Sequence, residues 1–404
     1  MPFEPLRFVH AANAYLDAPP IVPGHPSPDL RRLLEDATLT AFDNVLQACL
    51  EHDVDFLLLT GNTFVEVDRS LRARVALISG LAMLGEAGIR TFVLPGQTDP
   101  PSAWTSIPGM PATVTVFGDD ETEAVAVLRD GRVIASVGTT GVAESADSAP
   151  RCVAGHFRIG LQLLHQPGRE PFSTRGRAME SDAQSFDYIA QGGPAPLALL
   201  RTETTLTHHP GTTQARSFDD SGPGGCTLID VVPGRQPQCT LLPTAPVRYE
   251  RLTVPAIGEG GGSLVQLMSD QLSAAPPADC ERLRCVEWQT LADPGCAELN
   301  DPTATDRLTR EAASQAFPES IHVLAAIRYA ESEPQHSTAG LEAEFRRELQ
   351  TAAEGPRTLA ELGAHRPDWV DRLDPISGGL NAASVVARAA NLGRRRLDAD
   401  ATQG

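Results

Sequence analysis

The chain has 404 residues, a formal net charge of −19 at pH 7 and 41% hydrophobic residues, the balance of a globular protein longer than one typical domain. This acidity disfavours a protein whose main task is to hold nucleic-acid backbones, because that task needs clustered positive charge. Every basic residue is an arginine, which excludes a lysine base, nucleophile or phosphate clamp.

Cysteine spacing and hydropathy narrow the class further. The seven cysteines are scattered and contain no Cys-x-x-Cys pair, so neither a zinc ribbon nor a thioredoxin-type site is indicated. No basic segment leads into a long apolar one at the start of the chain, and no run approaches the roughly 18 apolar residues of a membrane span. We therefore expect a cytoplasmic protein that does not contact membranes.

The first hundred residues alternate between strand-like and helix-like patterns. Short apolar runs at 7–9, 54–59 and 89–94 predict buried strands. Apolar positions at helical spacing fill 28–52 and 71–87, and Gly88 ends the second helix. This βαβαβ order predicts a layered α/β sheet.

Short strand-like runs replace the helices after residue 112. They lie at 114–117, 124–128, 133–137, 159–164, 186–190 and 226–231. Asp130-Gly131 is a hairpin turn signal between two of them. These runs predict a second sheet.

The remainder of the chain begins with a glycine-rich linker at 257–263. Beyond it, helix, strand, helix and strand patterns at 264–272, 283–289, 304–316 and 321–329 predict a small α/β module. Helical patterns return at 340–353 and at 382–397, the latter carrying Arg394 to Arg396 as a solvated basic tail or a contact for DNA. We predict a core at 1–250, a cap domain at 251–335 and a partner-binding helical region at 336–404.

Three of the predicted strands end in loops of a recognisable kind. They read His10-Ala-Ala-Asn13-Ala-Tyr15-Leu16, Gly61-Asn62-Thr63-Phe64 and Pro95-Gly96-Gln97-Thr98-Asp99. Their order and spacing resemble the calcineurin-like metallophosphoesterases, specifically the nuclease subunit of SbcC–SbcD-type bacterial DNA repair complexes. In that family the loops read roughly H-x-A-D-x-H-L, G-D-x-F and P-G-N-H-D.

Three later stretches extend the resemblance. A strand ends at His165, Asp187-Tyr188-Ile-Ala190 precedes a glycine loop, and His209-Pro210-Gly211 is followed by a last strand at 226–231. The resemblance implies a four-layer α/β/β/α metallophosphoesterase sandwich with a small α/β cap domain and C-terminal helices.

The same resemblance implies a dinuclear metal site whose ligands this chain has exchanged. The family's aspartate and histidine of the first loop fall on Asn13 and Tyr15, and its bridging aspartate falls on Asn62. Its remaining asparagine and histidines fall on Gln97, Thr98, Gly193 and Ala195, whereas Asp99 and His165 match. A neutral amide contributes no negative charge to attract two dications, and a tyrosine with a pKa near 10 is a poor metal ligand at neutral pH.

We therefore predict no catalytic residue, no metal and no cofactor at this vestigial site. Its members are Asn13, Tyr15, Asn62, Gln97, Thr98, Asp99, His165, Gly193 and Ala195. The resulting hypothesis is a pseudoenzyme that scaffolds or senses DNA ends beside an SMC-like coiled-coil ATPase, with DNA binding and homodimer formation left open.

Two alternatives stay open from the sequence. One is an active manganese-dependent phosphoesterase or exonuclease with a rebuilt, mononuclear site around His165 and Asp99. The other is a small-ligand sensor that uses a neutral pocket of Asn13, Asn62, Gln97 and Thr98. Elsewhere we expect His10 to be structural, and His208 and His209 to point to opposite faces of an extended chain, which disfavours joint chelation.

Overall fold

The computed structural model describes residues 4–22, 26–68, 70–118, 124–140, 156–164, 186–202, 204–254, 263–290, 302–317 and 321–329. All of them belong to one compact unit, Met1–Ala330. No helix among them has the length and apolar content that a membrane span needs.

The elements alternate along the first half of this unit and are mostly strands afterwards. In chain order they are β1 (Leu6–Ala12), α1 (Pro28–Glu51), β2 (Phe56–Thr60), α2 (Leu71–Glu86), β3 (Arg90–Leu94), α3 (Pro101–Thr105), β4 (Val114–Val116), β5 (Val125–Arg129), β6 (Arg132–Thr139), β7 (Phe157–Leu163), β8 (Tyr188–Gly192), β9 (Ala198–Arg201), β10 (Leu206–His209), β11 (Gly225–Val231), β12 (Gln238–Pro243), β13 (Val247–Val254), α4 (Leu264–Ser273), β14 (Leu283–Thr290), α5 (Pro302–Ala316) and β15 (His322–Tyr329).

The first sheet has the order β12-β11-β1-β2-β3-β4. Strands β1 to β4 are parallel, and β11 joins β1 in antiparallel register. Ser27 and Ser70 cap the two long helices by accepting hydrogen bonds from Leu30 N and Ala73 N. Gly88, with φ 81°, follows the second helix as predicted. The βαβαβ prediction is confirmed.

Helices α1 and α2 cover the outer face of this sheet. They approach closely at Gly80, where a Cβ would lie 2.4 Å from Leu46 Cδ1. Along β1 the side chains alternate with the period of two that a strand imposes: Val9 and Ala11 join the helix-side core, and Leu6 and Phe8 join the core between the sheets.

The second sheet has the order β5-β6-β7-β8-β10-β9 and packs on the inner face of the first. Phe8 stacks on Phe56 at 4.8 Å and meets Tyr188 of the second sheet edge-on at 5.3 Å between ring centroids. The predicted hairpin turn at Asp130 and Gly131 is confirmed, since both residues have positive φ angles of 51° and 75°.

The described layers are α/β/β, and the α/β sandwich of the prediction is confirmed. Strands β6, β7 and β8 are parallel to one another. The connecting segments 141–155 and 165–185, where a fourth layer would be expected, lie outside the described residues.

A third, three-stranded parallel sheet has the order β13-β14-β15 and packs on α4 and α5. Its first strand begins at Val247, ahead of the predicted boundary at residue 251. Gln214 bonds both the N–H and the carbonyl of Val247, which ties this sheet to the loop after β10. Most of the predicted linker, and the predicted helices at 340–353 and 382–397 with Arg394 to Arg396, lie outside the described residues.

Candidate functional site

The predicted motif loops meet at the carboxyl ends of the parallel strands, where such loops converge. Backbone hydrogen bonds join them, from Asn13 N to Thr60 O at 3.2 Å and from Gly61 N to Leu94 O at 2.8 Å. A Cβ on Gly61 would lie 2.5 Å from Gly193 N, so only glycine allows these two loops to touch. The fold therefore brings Asn13, Asn62, Thr98, Asp99 and Gly193 together.

The side chains of Asn13 and Asn62 bond directly to each other. Asn62 Nδ2 donates to Asn13 Oδ1 at 3.2 Å, and the two residues are only 3% and 4% exposed. Asn13 Nδ2 in turn donates to the carbonyl of Gly193 at 2.6 Å. Asn62 Oδ1 accepts from both the N–H and the hydroxyl of Thr98 at 3.2 Å. Each amide is thus both donor and acceptor in one buried network.

This arrangement needs an amide at both positions. Two carboxylates at this separation would repel each other unless a cation lay between them. Two amides attract, because one supplies the N–H and the other the oxygen. The Asn13–Asn62 pair is therefore self-sufficient.

The same loops hold three non-glycine residues in the left-handed backbone region. Their φ angles are 52° at Asn13, 43° at Tyr15 and 25° at Asn62. Asparagine tolerates this region, whereas a bulky tyrosine there carries strain. Three such residues close together indicate that packing against the rest of the fold holds these loops in their conformation.

Tyr15 is covered by an arginine that the sequence did not single out. The guanidinium carbon of Arg216 lies 3.7 Å from the centroid of the Tyr15 ring. Burial raises the pKa of Tyr15, and the charge of Arg216 and the side chain of Asn62 oppose that rise. The phenol is neutral at pH 7 and is no anionic ligand. The only cue for Arg216 was its place just after the Gly211 to Gln214 stretch.

Asp99 is enclosed and fully hydrogen-bonded. It is 0% exposed and accepts from Thr63 N at 3.0 Å, Gly96 N at 2.9 Å and Trp104 Nε1 at 3.1 Å. Burial raises its pKa to about 7, against the opposing effect of these donors. The carboxylate orders the turn that carries Gln97 and Thr98, and its oxygens already have partners.

His10 lies between the two sheets. Its ring nitrogens pair with Tyr188 Oη and Thr60 Oγ1, both at 2.9 Å. Burial lowers its pKa well below the usual value, and His208 and His209 lower it further. A neutral imidazole with both nitrogens engaged fits the structural role expected for it.

His208 and His209 bond separate partners. His208 donates from Nδ1 to Ala198 O at 2.8 Å and pairs its Nε2 with Thr227 Oγ1, and burial lowers its pKa to about 4. His209 donates from Nε2 to Gly193 O at 3.0 Å and accepts from Gly211 N at Nδ1. All four ring nitrogens are occupied by different groups, as expected for residues that do not chelate jointly.

The remaining predicted positions add no ligand within the described part of the chain. Ala195 has no ligating side chain, and its N–H donates to Gly193 O at 2.9 Å. His165 lies outside the described residues. Among the residues described, no group of three or more His, Cys, Asp or Glu could hold a metal ion. The donor set of amides, hydroxyls and one enclosed carboxylate does not fit a dinuclear cation centre.

Comparison with known proteins identifies the type of fold. No family model matches the chain. The protein named uncharacterized metallophosphoesterase YhaO from Bacillus subtilis (strain 168) is 31% identical over 242 residues. The similarity supports the metallophosphoesterase superfamily. It covers 57% of this chain, and the chain spans 58% of that relative's length. The two-sheet α/β sandwich is consistent with a metallophosphoesterase core.

A solved structure also matches this chain, and the match covers 60% of this chain and 100% of the solved chain. Its sequence identity is 14% and its TM-score is 0.34, a superposition too distant to define the fold.

Proposed function

We propose that this chain is a non-hydrolytic, SbcD-like metallophosphoesterase relative that acts as a scaffold or DNA-end-sensing subunit beside an SMC-like coiled-coil ATPase. The observation that carries the non-hydrolytic part is the hydrogen bond from Asn62 Nδ2 to Asn13 Oδ1 at 3.2 Å. A dinuclear phosphoesterase uses its two metals to activate water and neutralise phosphate. Here the two positions that would bind those metals bind each other.

The energetics support the same reading. A carboxylate and a cation about 4 Å apart attract by several kcal/mol at an effective dielectric near 20. A neutral amide lacks that attraction, and metal ligation would also break the Asn13–Asn62 bond and expose its polar groups. Substitution at both positions therefore lowers metal affinity in two ways.

A role beside a partner fits the charge of the chain. At a net charge of −19 the protein is poorly suited to hold a DNA backbone by itself. In SbcC–SbcD-type systems the ATPase is the partner, and we assign the partner-binding role to residues 336–404 and the cap role to 251–335. Mixing the purified chain with the candidate ATPase and following co-elution on a sizing column tests this assignment, which fails if the two elute separately.

Nuclease activity and metal content test the non-hydrolytic role. Full-length protein purified with manganese should contain far less than one metal per chain and should leave linear duplex DNA intact. Robust manganese-dependent cleavage that His165→Ala abolishes would contradict the proposal. Cleavage that survives His165→Ala points to a contaminating nuclease, and the assay is then repeated after further purification.

The second candidate function is an active phosphoesterase with a mononuclear site around His165 and Asp99. The feature in its favour is the pKa of about 7 for Asp99, a value suited to proton transfer. Its three N–H donors and complete burial count against ligation. One tightly bound manganese per chain, lost in Asp99→Asn, favours this alternative.

A further inference from the structure

We infer that the Tyr15–Arg216 stack forms a metal-independent binding site for a phosphate-class oxyanion. The inference rests on the proposed function, because it assigns to an arginine the charge neutralisation that metals provide in an active phosphoesterase. It names a ligand class for the neutral site and requires no chemical step.

The side chain of Arg216 is positioned by its stack on the Tyr15 ring, and its charge also acts on Asp17. Its Nε is buried without a hydrogen-bond acceptor in the described part of the chain. Its hydrogen bonds run through the backbone carbonyl, which accepts from Ile21 N at 2.8 Å and from Tyr249 Oη at 3.2 Å. A buried, charged N–H without an acceptor is rare in folded proteins and indicates a missing ion or water.

A second unpartnered donor lies on the same loop. Thr213 is fully buried, and its Oγ1 has no hydrogen-bond partner among the described residues. The neighbouring Thr212 hydroxyl donates to Asn13 O at 3.0 Å, which fixes this loop against the first motif loop. The loop that carries Arg216 is therefore anchored at the site while two of its polar side-chain atoms lack partners.

The acidic groups near the stack are engaged elsewhere or exposed. Both oxygens of Asp17 accept from Val65 N at 2.9 and 3.0 Å, and Asp99 is held by its three N–H donors. Asp220 lies on the surface and is close enough to raise the pKa of Tyr15. Within the described residues none of the three forms an ion pair with Arg216.

The chemistry of the stack suits a phosphate group. A guanidinium is planar, always charged, and presents N–H groups in a fork that matches two phosphate oxygens. Stacking on the Tyr15 ring holds the fork in one orientation before the ligand arrives. Asn13 and Asn62 carry no charge, so no carboxylate at these two positions repels an incoming anion.

Binding measurements in EDTA test the inference on the full-length chain. Inorganic phosphate, thymidine and thymidine 5′-monophosphate serve as probes in equilibrium dialysis. Wild-type protein should bind the two phosphate-bearing probes, and Arg216→Gln should weaken both by about tenfold or more. The backbone bonds of Arg216 remain in this variant. Arg216→Lys, which keeps the charge but loses the fork, should bind with intermediate affinity.

Arg235→Gln is the matched control, because Arg235 is an exposed arginine in the turn between β11 and β12. It should bind phosphate as the wild type does. Circular dichroism confirms that each variant is folded. If Arg216→Gln fails to fold, the Arg216→Lys and Arg235→Gln pair decides the question, since only the former should lose affinity.

The probes also separate two sources of the anion. Tighter binding of thymidine 5′-monophosphate than of phosphate supports a nucleotide end as the ligand, and equal binding supports the free anion. Equal binding of thymidine and its monophosphate overturns the inference, as does absence of binding at about 10 mM phosphate or an affinity that Arg216→Gln leaves unchanged. Phosphate binding that requires manganese overturns both this inference and the non-hydrolytic role. If phosphate binding persists in EDTA and depends on Arg216 while the protein also cleaves DNA, only the non-hydrolytic role is overturned.

Discussion

The amide of Asn62 donates a hydrogen bond to the side-chain oxygen of Asn13 at 3.2 Å, in a place almost sealed from solvent. Asn13 Nδ2 donates a hydrogen bond to Gly193 O, and Asn62 Oδ1 accepts one from Thr98 N. Four loops from different strands are thereby fastened by neutral groups. We expect this network to stabilise the fold without a cation.

Asn62→Asp should destabilise the protein by about 2–3 kcal/mol, because it leaves Asn13 Oδ1 without a donor and faces it with a buried charge. Urea denaturation at pH 7 measures the change. Asn44→Asp is the control: Asn44 Nδ2 donates to Thr244 O at 2.8 Å in a half-buried position, and its loss should cost about 1 kcal/mol. Equal losses in the two variants would contradict the special role of the Asn13–Asn62 pair.

Manganese should stabilise the double variant Asn13→Asp/Asn62→Asp and should leave the wild type unchanged. The wild-type melting temperature should not change with added manganese, since the amides are satisfied by each other. The double variant should melt lower in EDTA, because two buried carboxylates repel, and should recover several degrees with manganese. Calcium and EDTA arms of the same thermal scan serve as controls. A manganese-dependent rise in the wild type would indicate a resident metal site.

Asp99 should make stability depend on pH. Its folded pKa is about 7 and its unfolded value is near 3.8, so the folded state binds the proton more tightly. The resulting stabilisation is fully present below pH 4 and is lost as the pH rises through about 7. The difference corresponds to a stabilisation on the order of 4 kcal/mol, a net value in which the three N–H donors already oppose the effect of burial.

Asp99→Asn should therefore flatten the pH dependence between pH 5 and 7.5, measured by urea denaturation at both values. Asp36→Asn is a suitable control, since Asp36 is a surface residue paired with Arg72, and it should leave the slope unchanged. A slope that persists in Asp99→Asn assigns the pH dependence to another group.

The sheets could be predicted from sequence where burial of a strand requires a run of apolar residues. The fully buried β2 reads as a continuous apolar run, and β11 nearly so. Strands β9 and β10 could not be predicted in this way. All residues of β9 are exposed. Strand β10 is largely polar, with the sequence Leu206-Thr-His-His209. It is buried only because its histidines form hydrogen bonds with Ala198 O, Thr227 and Gly193 O. A strand that is buried through hydrogen bonds of its polar side chains shows no periodic hydrophobic pattern in the sequence.

The site followed a similar division. The meeting of Asn13, Asn62, Thr98 and Gly193 was predictable, because loops at the carboxyl ends of parallel strands share one crevice. The stacking of Arg216 on Tyr15 depends on the conformation of the long connection between β10 and β11, which no pattern encodes. The direct bond between Asn13 and Asn62 was also not foreseen, since the sequence shows the loss of ligands and not what replaces their interactions.

The Tyr15–Arg216 stack should contribute to stability through the aromatic ring. Tyr15→Leu removes the π face beneath the guanidinium, which lies 3.7 Å from the ring centroid, and should cost about 1–2 kcal/mol beyond the loss in Tyr15→Phe. A double-mutant cycle with Arg216→Gln isolates the pair. We expect a coupling of about 0.5–2 kcal/mol between Tyr15→Leu and Arg216→Gln and near zero between Tyr15→Phe and Arg216→Gln. Coupling of equal size for Phe and Leu would show that the ring is not the element that holds Arg216 in place.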